Sequence, residues 1–436
     1  MELLVAKFGG SSLANAQQFR KVEAIIRADA RRRFVVPSAP GKRTFDDIKV
    51  TDLLYACCNR ASGGDFPTEE FELIKKRYRE IIDELGLSVS LESEFDVIEE
   101  HLRTAPDADY IASRGEYLNG ILLADLLGYT FVDAAEVIFF DQRGRYDDVR
   151  TNKVLSARLK TLENAVIPGF YGSDYKGRVK TFSRGGSDIT GSIVARAADA
   201  DLYENFTDVS GFLMADPRIV ENPKVIRTIT YHELRELSYM GATVLHEDAI
   251  FPVRQSGIPI NIKNTNDPAA PGTMIVPAAP ADEGSVITGV AGHKGFSFIT
   301  IEKEMMNNEL GFGRRVLQVL EDNGISFEHL PSSIDTMSVV VSEQSLAGKK
   351  QILLDELCAA VTPDHINLED GFALIAVVGR GMKSKHGTAS RIFDALAKNE
   401  INIHLIDQGS SEMNIIVGVK DSDFEQALRV IYHAFL

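Results

Sequence analysis

Cysteine is nearly absent from this chain. Its 436 residues hold three, Cys57, Cys58 and Cys358. Two of them are adjacent and the third is distant, so no CxxC zinc spacing and no disulfide framework is available. Long apolar runs are missing too. The longest, such as 372–378, fall far short of the roughly 18 residues that a membrane span needs. Positive charge is in deficit: 47 Lys and Arg face 63 Asp and Glu, a net charge of −16. That balance argues against nucleic acid or an anionic membrane as the main partner, while leaving local phosphate sites open. The opening MELLVAKFGG has no basic region and reaches glycine too early for a secretory leader. The expectation is a reduced, cytoplasmic protein.

What is present is ordinary globular composition, with 44% hydrophobic and 25% charged residues, enough for two to four domains. In the first half, short apolar segments alternate with helical periodicity. Strands are expected at 3–8, 34–37, 134–138, 165–168 and 179–182, and helices at 16–28, 50–61, 69–85 and 186–198. Strands separated by helices predict an α/β domain with a mainly parallel sheet covered on both faces. The stretch 264–284 holds Pro268, Pro271, Pro277 and Pro280 among small residues and reads as a linker.

Beyond it the chain repeats itself. Sliding 311–341 by 76 residues onto 387–417 matches Gly311/Gly387, Arg315/Arg391, Leu320/Leu396, Asn323/Asn399, Ile325/Ile401, Met337/Met413 and Val341/Val417. Each copy reads as a βαββαβ unit of about 70 residues. Neither carries a catalytic constellation, which points to ligand sensing or dimerisation.

Four motifs carry chemistry. Lys7-Phe8-Gly9-Gly10-Ser11-Ser12 follows a strand and precedes a helix, so glycines can bring backbone N–H groups to an anion beside a lysine charge. It is not a Walker P-loop. Ser183-Arg184-Gly185-Gly186-Ser187-Asp188 places an arginine fork and a carboxylate at another strand–helix turn. Ser113-Arg114-Gly115-Glu116 offers a carboxylate, expected at a strand–helix junction, for a substrate ammonium. Thr207-Asp208-Val209-Ser210-Gly211, with Asp216-Pro217-Arg218 following, can hold ribose or phosphate. Each motif alone also reads as an ordinary turn or cap.

Together with KVTDLL at 49–54, and in their order and spacing along the chain, they resemble the aspartokinases of the amino acid kinase superfamily, and the duplicated tail resembles tandem ACT domains. The resemblance covers essentially the whole chain. It implies a three-layer αβα kinase domain at 1–282, a first ACT-like domain at 296–365, and a second built from 283–295 with 366–436. It implies ATP-dependent phosphorylation of the β-carboxylate of L-aspartate, with Mg²⁺. Lys7 then neutralises the transferring phosphoryl group, and Asp188 organises lysine and nucleotide. Arg184 grips the α-carboxylate and Glu116 the α-ammonium, with Thr51, Phe170 and Ser187 as further substrate contacts. Gly9, Gly10, Ser11, Thr207, Asp208 and Arg218 meet the nucleotide.

The chain departs from the family at three places. Ser183 replaces a glycine, Leu213 replaces a tyrosine near the adenine, and Thr243 replaces a phosphate-binding lysine, for which Lys263 is the candidate substitute. An amino-acid effector, L-lysine first and L-threonine second, is expected at the first ACT copy, on Met306, Gly311, Phe312, Ser326, Glu328, Ser333 and Asp335. A homodimer through the ACT units, or a tetramer, is expected. The rival readings are a glutamate-type kinase and a non-catalytic amino-acid sensor.

Overall fold

A computed structural model describes residues 2–183, 185–242, 251–280 and 286–436. The chain divides into two compact units: 1–212, 225–234 and 243–279 form the first, and 213–224, 235–242 and 280–436 the second.

The first unit is built on β1 (Leu4–Phe8), β2 (Arg32–Pro37), β3 (Thr130–Phe131), β4 (Ala165–Val166), β5 (Tyr171–Ser173), β6 (Val179–Thr181), β7 (Leu202–Thr207), β8 (Thr228–Thr230), β9 (Ile260–Asn264) and β10 (Thr273–Val276). Eight of these make one sheet in the order β3-β4-β2-β1-β7-β9-β10-β8. Every pairing in it is parallel except β9 with β10. Strand β1 is buried along its whole length, and the two-residue side-chain period explains how. Ala6 and Phe8 face a core formed with the helices Ala16–Arg27, Val50–Ser62, Thr68–Leu85, Glu92–Thr104 and Ala108–Leu127. The alternate residues, Val5 and Lys7, take the opposite face, where the helix Gly186–Ala197 packs on β1, β2 and β7. The result is the three-layer αβα arrangement. Strands β5 and β6 form a separate antiparallel hairpin.

Two expectations are corrected here. The segment 134–138 is a short helix, Ala134–Val137, because the Asp133 side chain caps the Ala135 N–H and Ala-Ala-Glu favours helix. The stretch 264–284 is not a free linker throughout, because β10 lies inside it and pairs with both β8 and β9.

The second unit carries β11 (Gly289–Glu302), β12 (Phe327–His329), β13 (Thr336–Ser342), β14 (His365–Val378), β15 (Leu405–Asp407) and β16 (Asn414–Lys420). They form one sheet in the order β12-β13-β11-β14-β16-β15, antiparallel throughout. Two 14-residue strands serve both repeats. The start of β11 pairs with the end of β14, which also pairs with β16. The end of β11 pairs with β13 and with the start of β14. Register irregularities at 294–298 mark the changeover. The repeated glycines have a conformational reason: Gly311 (φ 79°) and Gly387 (φ 84°) are the left-handed N-caps of the helices Phe312–Asp322 and Thr388–Lys398. Residues Ala215 and Val220 belong to the second repeat's core, with Ile375, Ile392 and Ile431.

Candidate active site

Lys7 and Asn205 are register partners on the adjacent parallel strands β1 and β7, so their side chains leave the sheet on the same face. The helix Gly186–Ala197 crosses that face and delivers Asp188 in its first turn. Lys7 Nζ lies 2.5 Å from Asp188 Oδ1. Asn205 Nδ2 donates to the same Oδ1 at 2.9 Å, and Asn205 Oδ1 is 3.4 Å from Lys7 Nζ. The lysine is 8% exposed and the aspartate 21%, so the pair is partly desolvated yet open on one side. Tyr203 OH donates to the Asp188 backbone carbonyl at 3.2 Å, fixing the helix start.

The turn after β1 needs Gly10, and the loop after β2 needs Gly41. A Cβ on Gly10 would lie 2.9 Å from the Ala39 carbonyl, and one on Gly41 2.6 Å from the Gly10 carbonyl carbon. Gly41 N–H donates to Gly10 O at 2.8 Å, so the loop after β2 closes onto the turn. The segments 169–170 and 186–187 touch in the same way. A Cβ on Gly169 would lie 2.7 Å from Ser187, and one on Gly186 2.6 Å from the Phe170 ring. Phe170 adopts φ 78°, rare for an aromatic residue, and its N–H donates to Thr190 Oγ1 at 3.1 Å.

Glu116 does not sit at a strand–helix junction. It lies inside the helix Ala108–Leu127, whose flanking 111–123 are almost all buried. Tyr78 OH donates to Gly115 O at 2.7 Å, one residue away. Burial pushes the Glu116 carboxyl up from 4.5 to about 8, against a backbone hydrogen bond from Ala39 and the Lys7 charge. Its Oε2 is buried without a hydrogen-bond partner. A buried acceptor in that condition is costly unless a ligand donor reaches it.

Thus Lys7, Gly9, Gly10, Glu116, Phe170, Ser187 and Asp188 converge over the C-terminal edge of the parallel sheet, where chain order reverses between β2 and β7. Ser11 lies in the short turn Gly10–Leu13, and Thr51 opens the helix Val50–Ser62. Thr207 ends β7 and donates to Asp208 Oδ1 at 3.1 Å. Lys263 is the register partner of Phe206 on β9, with Nζ 6.0 Å from that ring's centre. Leu213 and Arg218 belong to the second unit, where Asp216 holds the Arg218 guanidinium at 2.6 Å. Arg184 and Thr243 lie outside the described residues. Asn205 was missed by the motif reading. The available signal was a polar Glu204-Asn205 pair inside an otherwise apolar strand.

In the first repeat, Met306 and Phe312 are core residues, and Ser326 precedes β12. Glu328 Oε2 accepts from Tyr239 OH. Ser333 N–H donates to Thr336 O at 2.7 Å, and Asp335 Oδ1 accepts the Met305 N–H at 2.8 Å.

A parallel-sheet kinase core with a lysine–aspartate pair at a glycine turn, joined to a duplicated ACT-type sheet, defines a regulated amino acid kinase. Residues 2–264 match the amino acid kinase family model, and 375–435 match an ACT domain model. The chain is 40% identical over 446 residues to aspartokinase 3 of Bacillus subtilis, covering 99% of this chain and 98% of that one. It resembles the crystal structure of Clostridium acetobutylicum aspartate kinase (TM-score 0.91, 52% identity, all of both chains). It also resembles Escherichia coli aspartokinase III at 26% identity. The complex with aspartate and ADP gives TM-score 0.75 over 99% of both chains. The complex with lysine and aspartate gives 0.73 over all of both chains. The chain belongs to the aspartokinase family. It is an ATP-using aspartate kinase, a phosphotransferase with a carboxyl acceptor, carrying regulatory ACT domains. Among the described residues no helix is long and apolar enough to cross a membrane.

Proposed function

We propose that this enzyme transfers the γ-phosphoryl group of MgATP to the β-carboxylate of L-aspartate, giving ADP and 4-phospho-L-aspartate. A carboxylate oxygen forms the new bond to phosphorus, and the bond from phosphorus to the bridging oxygen of ADP breaks. The observation that carries this reading is the Lys7–Asp188 pair together with the buried Glu116 carboxyl, whose Oε2 has no hydrogen-bond partner. Phosphoryl transfer asks chiefly for positioning and charge stabilisation. Lys7 supplies a preorganised positive charge, aimed by Asp188 and Asn205. Glu116 accepts the substrate ammonium and ionises as it does so. Arg184 takes the α-carboxylate as a fork, with Thr51, Phe170 and Ser187 around the substrate. The turn Gly9–Ser11, with Thr207, Asp208 and Lys263, receives the nucleotide.

The residues fit Mg²⁺ as a substrate-borne ion. Asp188 offers a carboxylate oxygen, and among the described residues no three His, Cys, Asp or Glu side chains converge into a protein metal cage. Bound with ATP, the ion neutralises phosphate charge. Hydroxamate trapping of the acyl phosphate, run with MgATP and either aspartate or glutamate, tests the reaction. Aspartate-dependent product is expected; glutamate-dependent product alone would overturn it.

The domain division implied by the family resemblance, with 283–295 completing the second ACT unit, is part of the same proposal, as are the cytoplasmic setting and the dimer. The effector is L-lysine, bound by the first repeat. Lysine is a ligand of the Escherichia coli relative, and Glu328 and Asp335 supply two carboxylates for a dibasic ligand. Its ammonium must displace Tyr239 OH from Glu328.

A further inference from the structure

The peptide joining Ser38 to Ala39, just after β2, is held on both sides by one helix. Asn119 Nδ2 donates to the Ser38 carbonyl at 2.6 Å. A carbonyl only accepts, so the nitrogen end of the amide faces Ser38 and Oδ1 is its other end. The Ala39 N–H, on the opposite side of the same peptide, donates to the Glu116 carboxyl. Glu116 and Asn119 lie three residues apart on Ala108–Leu127, neighbours on its surface. The helix comes this close because residue 115 is glycine: a Cβ there would lie 2.8 Å from the Ala39 Cβ. The segment is fixed from β1 as well, where Ser38 N–H donates to Phe8 O at 3.0 Å. Asn119 is fully buried, and its Oδ1 has no hydrogen-bond partner. A buried acceptor without a donor weakens the fold. An apolar side chain of similar volume would avoid that cost, so helix packing does not account for the amide; the Ser38 contact does.

We propose that Asn119 is a positioning residue for aspartate binding: by anchoring the Ser38 carbonyl it aims the Ala39 N–H at Glu116, and so holds that carboxyl where the substrate ammonium meets it. The inference rests on the aspartate site described above. A peptide unit is planar, so holding its C=O fixes the direction of its N–H. That N–H favours the ionised carboxylate, the form that binds an ammonium. The other groups acting on this carboxyl are Lys7 on β1, Arg114 on its own helix, Tyr78 on Thr68–Leu85 and Tyr55 on Val50–Ser62. Asn119 adds no charge to them and works through the peptide.

The test compares wild type with Asn119→Leu and Asn119→Ser. It measures kcat, the KM of L-aspartate and of ATP, the aspartate KM across pH 6 to 9, and the competitive Ki of succinate, the same four-carbon diacid without the ammonium. Asn119→Leu is expected to raise the aspartate KM ~10-fold, since small misplacements are costly in a preorganised site. The ATP KM and the succinate Ki should stay within ~2-fold, because neither ligand presents an ammonium to Glu116. The fall of the aspartate KM with rising pH should move to higher pH by roughly half a unit or more, because the carboxylate loses a donor. Asn119→Ser, too short to hold Ser38 O, should move both readouts the same way, and it carries the test if Asn119→Leu does not fold. Aspartate KM and succinate Ki rising together, or an unmoved pH profile in the folded variants, overturns the positioning role. Wild type without aspartate-dependent turnover removes the parent reading and this role with it; an active wild type whose variants keep its aspartate KM and pH profile removes the role alone.

Discussion

Replacing Glu116 by Gln should stabilise the substrate-free enzyme while crippling aspartate binding, and the stabilisation should grow with pH. The carboxyl is pushed from 4.5 to about 8 by burial. Between those values the folded state holds a proton that the unfolded chain has released, so stability falls as pH rises through that window. The destabilisation is essentially absent below pH 4.5 and complete above pH 8. Integrating the linkage relation gives about 1 kcal/mol at pH 5, about 3 at pH 7 and about 4 at pH 8. Glutamine titrates nowhere in this range and keeps nearly the same shape. The melting temperature of Glu116→Gln should therefore exceed that of wild type by on the order of 5 °C at pH 8, with a much smaller gap at pH 5. The assay is thermal unfolding of the full chain without substrate at both pH values. Saturating aspartate should narrow the gap, because the ammonium supplies the missing partner in wild type alone. Binding then expels a proton below pH 8, so the wild-type aspartate KM should fall as pH rises from 6 to 8. A gap that is the same at pH 5 and pH 8 would refute the buried, protonated Glu116.

Four further outcomes are expected. Lys7→Ala should lower kcat by ~10²-fold or more with a smaller change in the ATP KM, the scale of losing one preorganised donor; steady-state kinetics decide it. Asn205→Ala should lower kcat by roughly 10-fold without changing the fold seen by circular dichroism, because the lysine loses its second guide. Arg184→Lys should raise the aspartate KM strongly while ATP affinity stays near normal, since an ammonium cannot reproduce the planar fork; equal rises in both constants would contradict it. Lysine titrated at fixed aspartate should inhibit wild type with a coupling of roughly 1–3 kcal/mol and inhibit Glu328→Ala far less. Equal inhibition of both would remove Glu328 from the site, and inhibition by threonine alone would change the effector.

Much of this protein is legible along the chain. Alternation of apolar strands and periodic helices specifies a covered parallel sheet, because strands buried on both faces must be apolar throughout. The two left-handed glycines, Gly311 and Gly387, mark the repeats because few other residues accept that backbone geometry. Lys7, Asp188 and Glu116 stand out in the sequence as charges in short motifs that also hold glycine. Other features needed the fold. Asp188 meets Lys7 because β1 and β7 pair in register beneath one helix, and that pairing joins residues about 200 positions apart. Asn205 becomes part of the site by the same pairing. The segment 134–138 became helix rather than strand through a local cap that a short apolar run conceals. Strand β10 was hidden among prolines because its neighbours β8 and β9 supply the hydrogen bonds its composition does not advertise. The raised Glu116 carboxyl was invisible until packing showed it inside a helix with one oxygen unpartnered. Residue type declares which chemistry is possible. Burial and distance decide which is performed, because desolvation and Coulomb energy depend on what lies within a few ångströms in space, whatever the separation along the chain.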